Sequence, residues 1–168
     1  MRITIAILFV ALLGACAILK PPTVVTLNPI SVEQFMESPF GHNETIEAFN
    51  KALPARTRVQ KLIRRQPGDR QRPDTIYNFI YKQSKISVYK TQFNQEYLLG
   101  GSVKNPNIEL VNGIQQGMEK KDFFKAFTDI EPSHRDTVTL RDENIKRTFT
   151  FLFNSRGRLE RYAFTGQQ

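Results

Sequence analysis

The chain of 168 residues has one cysteine, no tryptophan and only two histidines. A single thiol excludes internal disulfide bonds, so an apolar core must hold the fold together, and thirteen Phe and five Tyr side chains are available to build it. The sequence also lacks a Gly-x-Ser-x-Gly segment, a P-loop and a dinucleotide-binding fingerprint. His42 and His134 lie in predicted loops, where we expect them to be solvated. We therefore predict no enzyme activity, no metal and no cofactor other than covalent lipid.

The amino-terminal segment has the pattern of an export signal. Residues 3–19 carry no charged side chain and follow the positively charged Arg2. This run is at the short limit for crossing a bilayer, which takes about 20 residues. Its apolar centre and the two small residues before Cys16 fit a secretory signal over residues 1–15. The segment LGAC, which ends at Cys16, resembles the bacterial lipobox, and the resemblance implies cleavage before Cys16 and a covalent lipid on its thiol. The alternative is an uncleaved anchor helix.

Residues 16–30 are rich in proline and predict an extended tether between the lipid and the body. Ala17 after the cysteine resembles the sorting signal of outer-membrane lipoproteins, which implies a place on the outer membrane facing the periplasm. The formal net charge of +8 favours acidic partners. In an exported protein these are an envelope protein, anionic lipid or lipopolysaccharide, and nucleic acid is not expected.

Three helices are predicted. The segment PISVEQFME predicts the first, with Ser31 and Gln34 forming a capping box. A second helix is predicted from Glu44 to Leu53 with Asn43 as its cap, and a third from Glu119 to Asp129. The buried side of the third helix is predicted to consist of Phe123, Phe124, Phe127 and Ile130.

Strand signals follow the second helix. The segment TRVQKLIRR predicts an edge strand with Val59 and either Leu62 or Ile63 pointing inward. The next segment, PGDRQRPD, predicts a loop, and DTIYNFIYKQSKISVYKT predicts a hairpin that turns at Gln83–Lys85. The segment EYLLGGSVKNPNIEL predicts one or two short strands, split by Gly100–Gly101 and by Asn105–Pro106–Asn107.

The carboxy-terminal region predicts three more strands, in DTVTLRDE, KRTFTFLFNS and GRLERYAFTG. In the middle one, Phe149, Phe151 and Phe153 share one face. Asn154–Gly157 is predicted to be the turn of the last hairpin, with glycine where φ can be positive.

The two hairpins NFIYKQSKISVY and TFLFNSRGRLERY are similar, with Tyr89 aligned to Tyr162, and each follows a Phe-bearing helix. A single hairpin or short helix cannot bury enough surface by itself, whereas two such units together can. We predict an α+β body over residues 31–168, an antiparallel sheet with helices packed on one face, built from tandem helix-plus-hairpin units at 31–110 and 111–168. The alternative is chance similarity between aromatic hairpins.

The segment GIQQGMEKKDFFKAF resembles the helix entry of the small lipoproteins of the outer-membrane assembly machinery, and that of the β-lactamase-inhibitor-protein fold. Those families open a helix with Gly-Met, a capping Ser or Thr, an acidic residue and an apolar one. The matching residues here are Gly117, Met118, Asp122 and Phe123, while Glu119 stands at the capping position. The resemblance implies helices on one face of an antiparallel sheet and a function in protein binding rather than catalysis.

Seven cations lie close together in the first half of the chain, with Asp69 as the one acid among them. They are Arg56, Arg58, Lys61, Arg64, Arg65, Arg70 and Arg72. Because arginine binds phosphate and carboxylate groups in a bidentate manner, this basic cluster is a candidate docking site for phosphate groups or an acidic partner. The alternative is that the cations are solvated and protect an edge strand from aggregation.

Together these patterns predict a lipid-anchored binding or assembly module of the bacterial cell envelope, which presents a sheet surface or its basic edge to a partner. The first alternative is an inhibitor or immunity-type lipoprotein that blocks an enzyme in the periplasm. The second alternative is a hydrolase whose site is not recognisable in the sequence.

Overall fold

The computed structural model describes residues 28–66 and 69–166. Residues 65, 66 and 69–72 are described by their backbone alone. Cys16, the predicted signal and most of the predicted tether lie outside the described residues. The described chain forms a seven-stranded antiparallel sheet and three α-helices of six or seven residues. The prediction of an antiparallel sheet accompanied by helices is confirmed, although strands make up more of the fold than helices do.

The elements follow one another in two groups along the chain. The helices are α1 (Val32–Glu37), α2 (Ile46–Ala52) and α3 (Lys120–Lys125). The strands are β1 (Arg58–Gln66), β2 (Asp69–Tyr81), β3 (Ser84–Lys90), β4 (Glu96–Val103), β5 (Thr137–Asp142), β6 (Arg147–Phe153) and β7 (Leu159–Thr165). The order across the sheet is β1-β2-β3-β4-β7-β6-β5, so β1 and β5 are its two edges and β4 meets β7 near its centre.

The start of α1 is fixed by the predicted capping box, which the structure confirms. The Ser31 hydroxyl accepts a hydrogen bond from the Gln34 N–H at 3.1 Å, and the Ser31 N–H donates to Gln34 Oε1 at 3.2 Å. Phe35 is fully buried, and its ring centroid lies 5.0 Å from that of Phe149 on β6. A local sequence signal therefore positions an aromatic anchor against the sheet.

The helix α2 begins later than predicted, at Ile46, and its cap is Thr45 rather than Asn43. The Thr45 hydroxyl accepts a hydrogen bond from the Ala48 N–H at 3.2 Å, which satisfies one of the free donors at the helix start. Glu44, predicted to be the first helical residue, instead directs its carboxylate to Arg147. Glu44 thus lies before the helix and pairs with Arg147 on the sheet.

The helix α3 ends at Lys125, four residues before the predicted end. The Ala126 carbonyl accepts a hydrogen bond from the Ile30 N–H at 3.1 Å, and the Thr128 N–H donates to the Ile30 carbonyl at 3.0 Å. This bridge to a distant segment draws the backbone away from helical pairing. It also ties Ile30, placed in the tether by the sequence analysis, to the body of the protein.

The aromatic core lies against one face of the sheet. Phe149, Phe151 and Phe153 are all buried, which confirms their predicted common face. The pairing register places six residues, one from each of six strands, in a continuous row across that face. The row is Phe79, Ile86, Gly101, Phe164, Phe149 and Leu140. The predicted turn at Asn154–Gly157 is also confirmed, with φ of 67° at Gly157.

The prediction that Gly100–Gly101 would split a strand is wrong, because β4 runs through both residues. A Cβ atom at Gly101 would lie 2.6 Å from the Lys85 carbonyl oxygen and 2.7 Å from the Phe164 ring. The glycine lets β3, β4 and β7 approach closely at the centre of the sheet. The pair therefore serves packing within a strand and does not interrupt it.

The predicted loop over residues 67–74 is also wrong from Asp69 onward, because β2 begins there. The segment up to Asp74 pairs with β1 alone, since the pairing of β2 with β3 starts at Thr75. Pro73 is tolerated in the strand because the missing N–H falls where only one neighbouring strand is present. The next turn is Lys82–Gln83, which begins one residue and ends two residues before the predicted turn at Gln83–Lys85, with φ of 51° at Lys82.

Candidate functional site

The face of the sheet opposite the aromatic core is called the open face below. A groove with a cavity volume of about 720 Å³ lies on it, within the range typical of ligand pockets. Its lining residues are Arg64, Ile76, Tyr89, Tyr97, Leu99, Asn144 and Lys146. Arg64 comes from one edge strand and Lys146 from the turn before β6, so the sheet curls and its two ends approach the same groove.

The groove combines an apolar floor with cations at its rim. Ile76 and Leu99 also line a second, shallower recess on the open face, so the apolar surface continues beyond the groove. Tyr97 is 37 % exposed and its hydroxyl donates to Gln95 Oε1 at 2.9 Å. Arg64 and Lys146 are both exposed. Such a surface suits an amphipathic partner with negative charge.

The polar groups beneath this surface are paired with one another. A hydrogen bond to the Asp74 carboxylate raises the pKa of Tyr89, with burial as the second cause. Asp74 Oδ1 also accepts from the Gln92 N–H at 2.9 Å. Asn78 Oδ1 accepts from the Ser87 hydroxyl at 2.7 Å, and Asn78 is buried. These bonds hold the floor in one arrangement, as a preformed binding surface requires.

The structure distributes the basic cluster over β1, β2 and the residues before them. Arg56 precedes β1, Arg58, Lys61 and Arg64 are exposed on it, and the side chains of Arg65, Arg70 and Arg72 are outside the described ones. Arg58 pairs with Ile80 and Arg64 with Asp74, so both lie on the open face, as the strand alternation predicts. Lys61 points to the other side and lies 5.3 Å from the Tyr77 ring centroid.

The apolar residues of β1 are not inward, contrary to the prediction. Val59, Leu62 and Ile63 are 37 %, 45 % and 60 % exposed, and every residue from Arg58 to Arg64 is exposed. The reason is that β1 is an edge strand with β2 as its one neighbouring strand, and none of the described elements covers either of its faces. We call the exposed segment Arg58–Arg64 the basic edge.

The histidines show no catalytic grouping in the described part of the chain. The His42 ring is half-buried, its Nδ1 lies 2.7 Å from the Asn43 carbonyl oxygen, and its centroid lies 5.2 Å from that of Phe49. His134 is exposed in a loop. Within residues 28–66 and 69–166, no group of three His, Cys, Asp or Glu side chains is placed to hold a metal ion.

The most buried charge cluster ties α1 and α2 to the sheet. Arg147 Nη1 donates to Glu44 Oε1 at 2.9 Å and to the Met36 carbonyl at 2.6 Å. Burial raises the pKa of Glu44, against the opposing attraction of Arg147. Because the pair lies in the structural core and lines no described groove, it supports the fold rather than providing a reactive site.

Sequence reasoning missed Tyr97, Leu99 and Lys146 as groove residues. The alternation in EYLL is a signal that could have placed Tyr97 on an exposed face. No local signal marks Lys146, because it reaches the groove from the opposite end of the sheet. The aligned tyrosines also differ in position: Tyr162 is buried and donates to the Ile108 carbonyl at 3.2 Å, whereas Tyr89 lines the groove.

Comparison with known proteins gave no match to a family model, to a curated protein or to a solved structure. Among the described helices, none has the length and apolar composition needed to cross a membrane. The groove, the basic edge and the amino-terminal sequence pattern are the features that bear on function.

Proposed function

We propose that this protein is a non-catalytic binding module, anchored by lipid on Cys16 to the periplasmic side of the bacterial outer membrane. Its open face and basic edge bind an acidic segment of another envelope protein. The observation that carries the proposal is the groove, where Arg64 and Lys146 flank a floor of Ile76, Tyr89 and Leu99. This combination matches partner surfaces that bring both apolar and negatively charged groups.

The fold supports the proposal because the aromatic core packs on one face of the sheet and the groove lies on the other. Rings from all three helices contact sheet aromatics: Phe35 lies near Phe149, Phe49 near Phe79, and Phe123 near Phe151, at 5.0, 5.7 and 4.7 Å between centroids. We infer that the helices cover one face and leave the other for a partner. The similarity of the two hairpins fits a duplicated unit, which we retain as a proposal.

The lipid anchor fits this arrangement in its dimensions. Residues 16–27 could span at most about 40 Å between a lipidated Cys16 and the described body. This reach would let the open face meet a partner standing clear of the membrane surface. Anionic lipid or lipopolysaccharide then competes for the same cations as a secondary ligand.

An inhibitor or immunity-type lipoprotein is the second candidate. It is favoured by the curl of the sheet, which brings Arg64 and Lys146 to one groove and gives the open face a concave shape. A concave aromatic surface can cover a loop or edge of an enzyme. The two candidates share the binding surface and differ in whether the captured partner loses an activity.

Site-specific photo-crosslinking in the native envelope tests the proposal. A photoreactive amino acid replaces Tyr97 in the groove, and a matched control replaces the exposed Glu47 on α2. We expect a discrete protein adduct from position 97 and none from position 47. A Cys16→Ser variant should lose incorporation of an alkyne-labelled fatty acid. The proposal is overturned if positions 97 and 47 give the same adducts, or if labelling does not depend on Cys16.

A further inference from the structure

We propose that β1 is an open strand edge onto which an extended acidic segment of the envelope partner adds as a further strand of the sheet. An edge strand presents a row of unpaired N–H and C=O groups, and peptides are commonly recognised by such edges. The inference rests on the proposed function and specifies where and how that partner is bound.

The first argument is the exposure of β1. Strands normally bury one face, but all seven residues of the basic edge are exposed. Five large apolar side chains are exposed in the described part of the chain, and three of them, Val59, Leu62 and Ile63, belong to β1. Apolar groups on both sides of one uncovered strand are explained if a neighbouring strand covers them in the working state.

The second argument is charge, which selects the kind of occupant. The sequence of β1, RVQKLIRRQ, has four cations and no acid. A second copy of this chain pairing through β1 would place two strands with four cations each, and no acid, side by side, and the repulsion between them would disfavour the pair. A strand with Asp or Glu beside aliphatic residues would instead complement both the cations and the exposed apolar groups.

The third argument is the alternation of side chains along the strand. Arg58, Leu62 and Arg64 lie on the open face, while Val59, Lys61 and Ile63 lie on the other. Each face of β1 therefore offers both positive charge and apolar surface. A phosphate-rich membrane surface would use the cations but leave the backbone edge and the apolar groups unpaired, so an extended peptide is the better complement.

The test uses the full lipidated chain in detergent and a fluorescent nine-residue peptide of Glu, Val and Ile. A second peptide has Lys in place of Glu. We expect the acidic peptide to bind at least about tenfold more tightly, with affinity falling as salt is added. The variant Arg58→Glu/Lys61→Glu, which changes two exposed residues of β1 that do not line the groove, should weaken binding at least about tenfold. The control Arg135→Glu/Arg156→Glu makes the same change in net charge at exposed positions in the loop before β5 and in the turn between β6 and β7, and should change binding less than about threefold.

Strand addition is separated from plain charge attraction by backbone methylation. Two versions of the acidic peptide are N-methylated at alternate positions, one at the odd and one at the even residues. Only one set of N–H groups faces β1 in an added strand, so one version should lose binding and the other should keep it within about threefold. Equal binding of the two versions, or equal effects of the two charge-reversal variants, would overturn the inference.

Further outcomes distinguish this inference from the proposed function. If the crosslinked adduct at position 97 persists at wild-type yield in Arg58→Glu/Lys61→Glu, the proposed function stands and strand addition at β1 is wrong. If the methylation pattern is as expected but position 97 captures no envelope protein, the peptide edge stands and the proposed partner falls. A dimer dispersed by Ile63→Asp, or binding to phosphatidylglycerol vesicles with none to the peptide, also overturns strand addition.

Discussion

The two edges of the sheet are built in opposite ways. On β5 the side chains alternate: Val138 and Leu140 are buried, and the residues between and beside them are exposed or half-buried. On β1, Leu62 and its neighbours are exposed on both sides of the strand. The helix α1 contacts β5, and the Glu44–Arg147 ion pair holds the start of the neighbouring strand β6 to the helical segment. The chain itself buries one face of β5, whereas no described element covers either face of β1.

The largest loss of stability that would test this comparison is expected at the end of the sheet formed by β5 and β6. Arg147→Met leaves the Glu44 carboxylate buried without its partner, so we expect a loss of about 3–5 kcal/mol in unfolding free energy. Urea denaturation followed by circular dichroism measures it. The control Glu44→Gln/Arg147→Met removes both charges and should recover most of that loss. An unchanged midpoint in Arg147→Met would show that the ion pair does not secure this end.

A matched pair of leucine truncations compares the edges directly. Leu140→Ala in β5 creates a cavity in the core and should cost about 2–5 kcal/mol. Leu62→Ala in β1 removes an exposed side chain and should cost about 0.5 kcal/mol or less. Chemical denaturation of both variants gives the two values. Equal losses would mean that β1 is covered in the free protein.

The smallest expected effect is a change with pH in the stability of the Arg147→Met variant. Burial raises the folded-state pKa of Glu44 above its usual value, and removing Arg147 removes the attraction that opposes this rise. In Arg147→Met, protonation of Glu44 therefore relieves the unpaired charge, because a raised folded pKa gives stability that is present at low pH and is lost as pH rises through it. We expect the deficit of this variant relative to wild type to shrink from neutral pH toward acid. A deficit that grows on acidification would contradict this, and the double variant should show no such trend.

Elements with strong local patterns were predictable from the sequence. The capping box of Ser31 and Gln34 needs residues three positions apart, and the common face of Phe149, Phe151 and Phe153 follows from the strand period of two. The position of β1 at an edge was predicted as well. In each of these elements the determining contacts lie within a few residues of one another or within one hairpin.

The errors arose where distant residues decide the local structure. The backbone after α3 pairs with Ile30, and the course of β4 through Gly101 depends on the close approach of Phe164. Glu44, predicted to be helical, pairs with Arg147 instead. The groove was missed for the same reason, since Arg64 and Lys146 meet only because the sheet curls. The exposed apolar residues of β1 were predicted to face inward because periodicity marks the faces of a strand but does not show which of them is covered.

The bridge between Ile30 and Phe127 has a mechanical consequence. If Cys16 is lipidated, tension on the membrane anchor enters the folded body at Asn28–Ile30, where the backbone bonds to Ala126 and Thr128 hold that segment. Through these bonds the force would pass directly to the backbone that follows α3, without passing through β1 to β4. Load on the tether would be borne by the segment after α3 rather than by the basic edge.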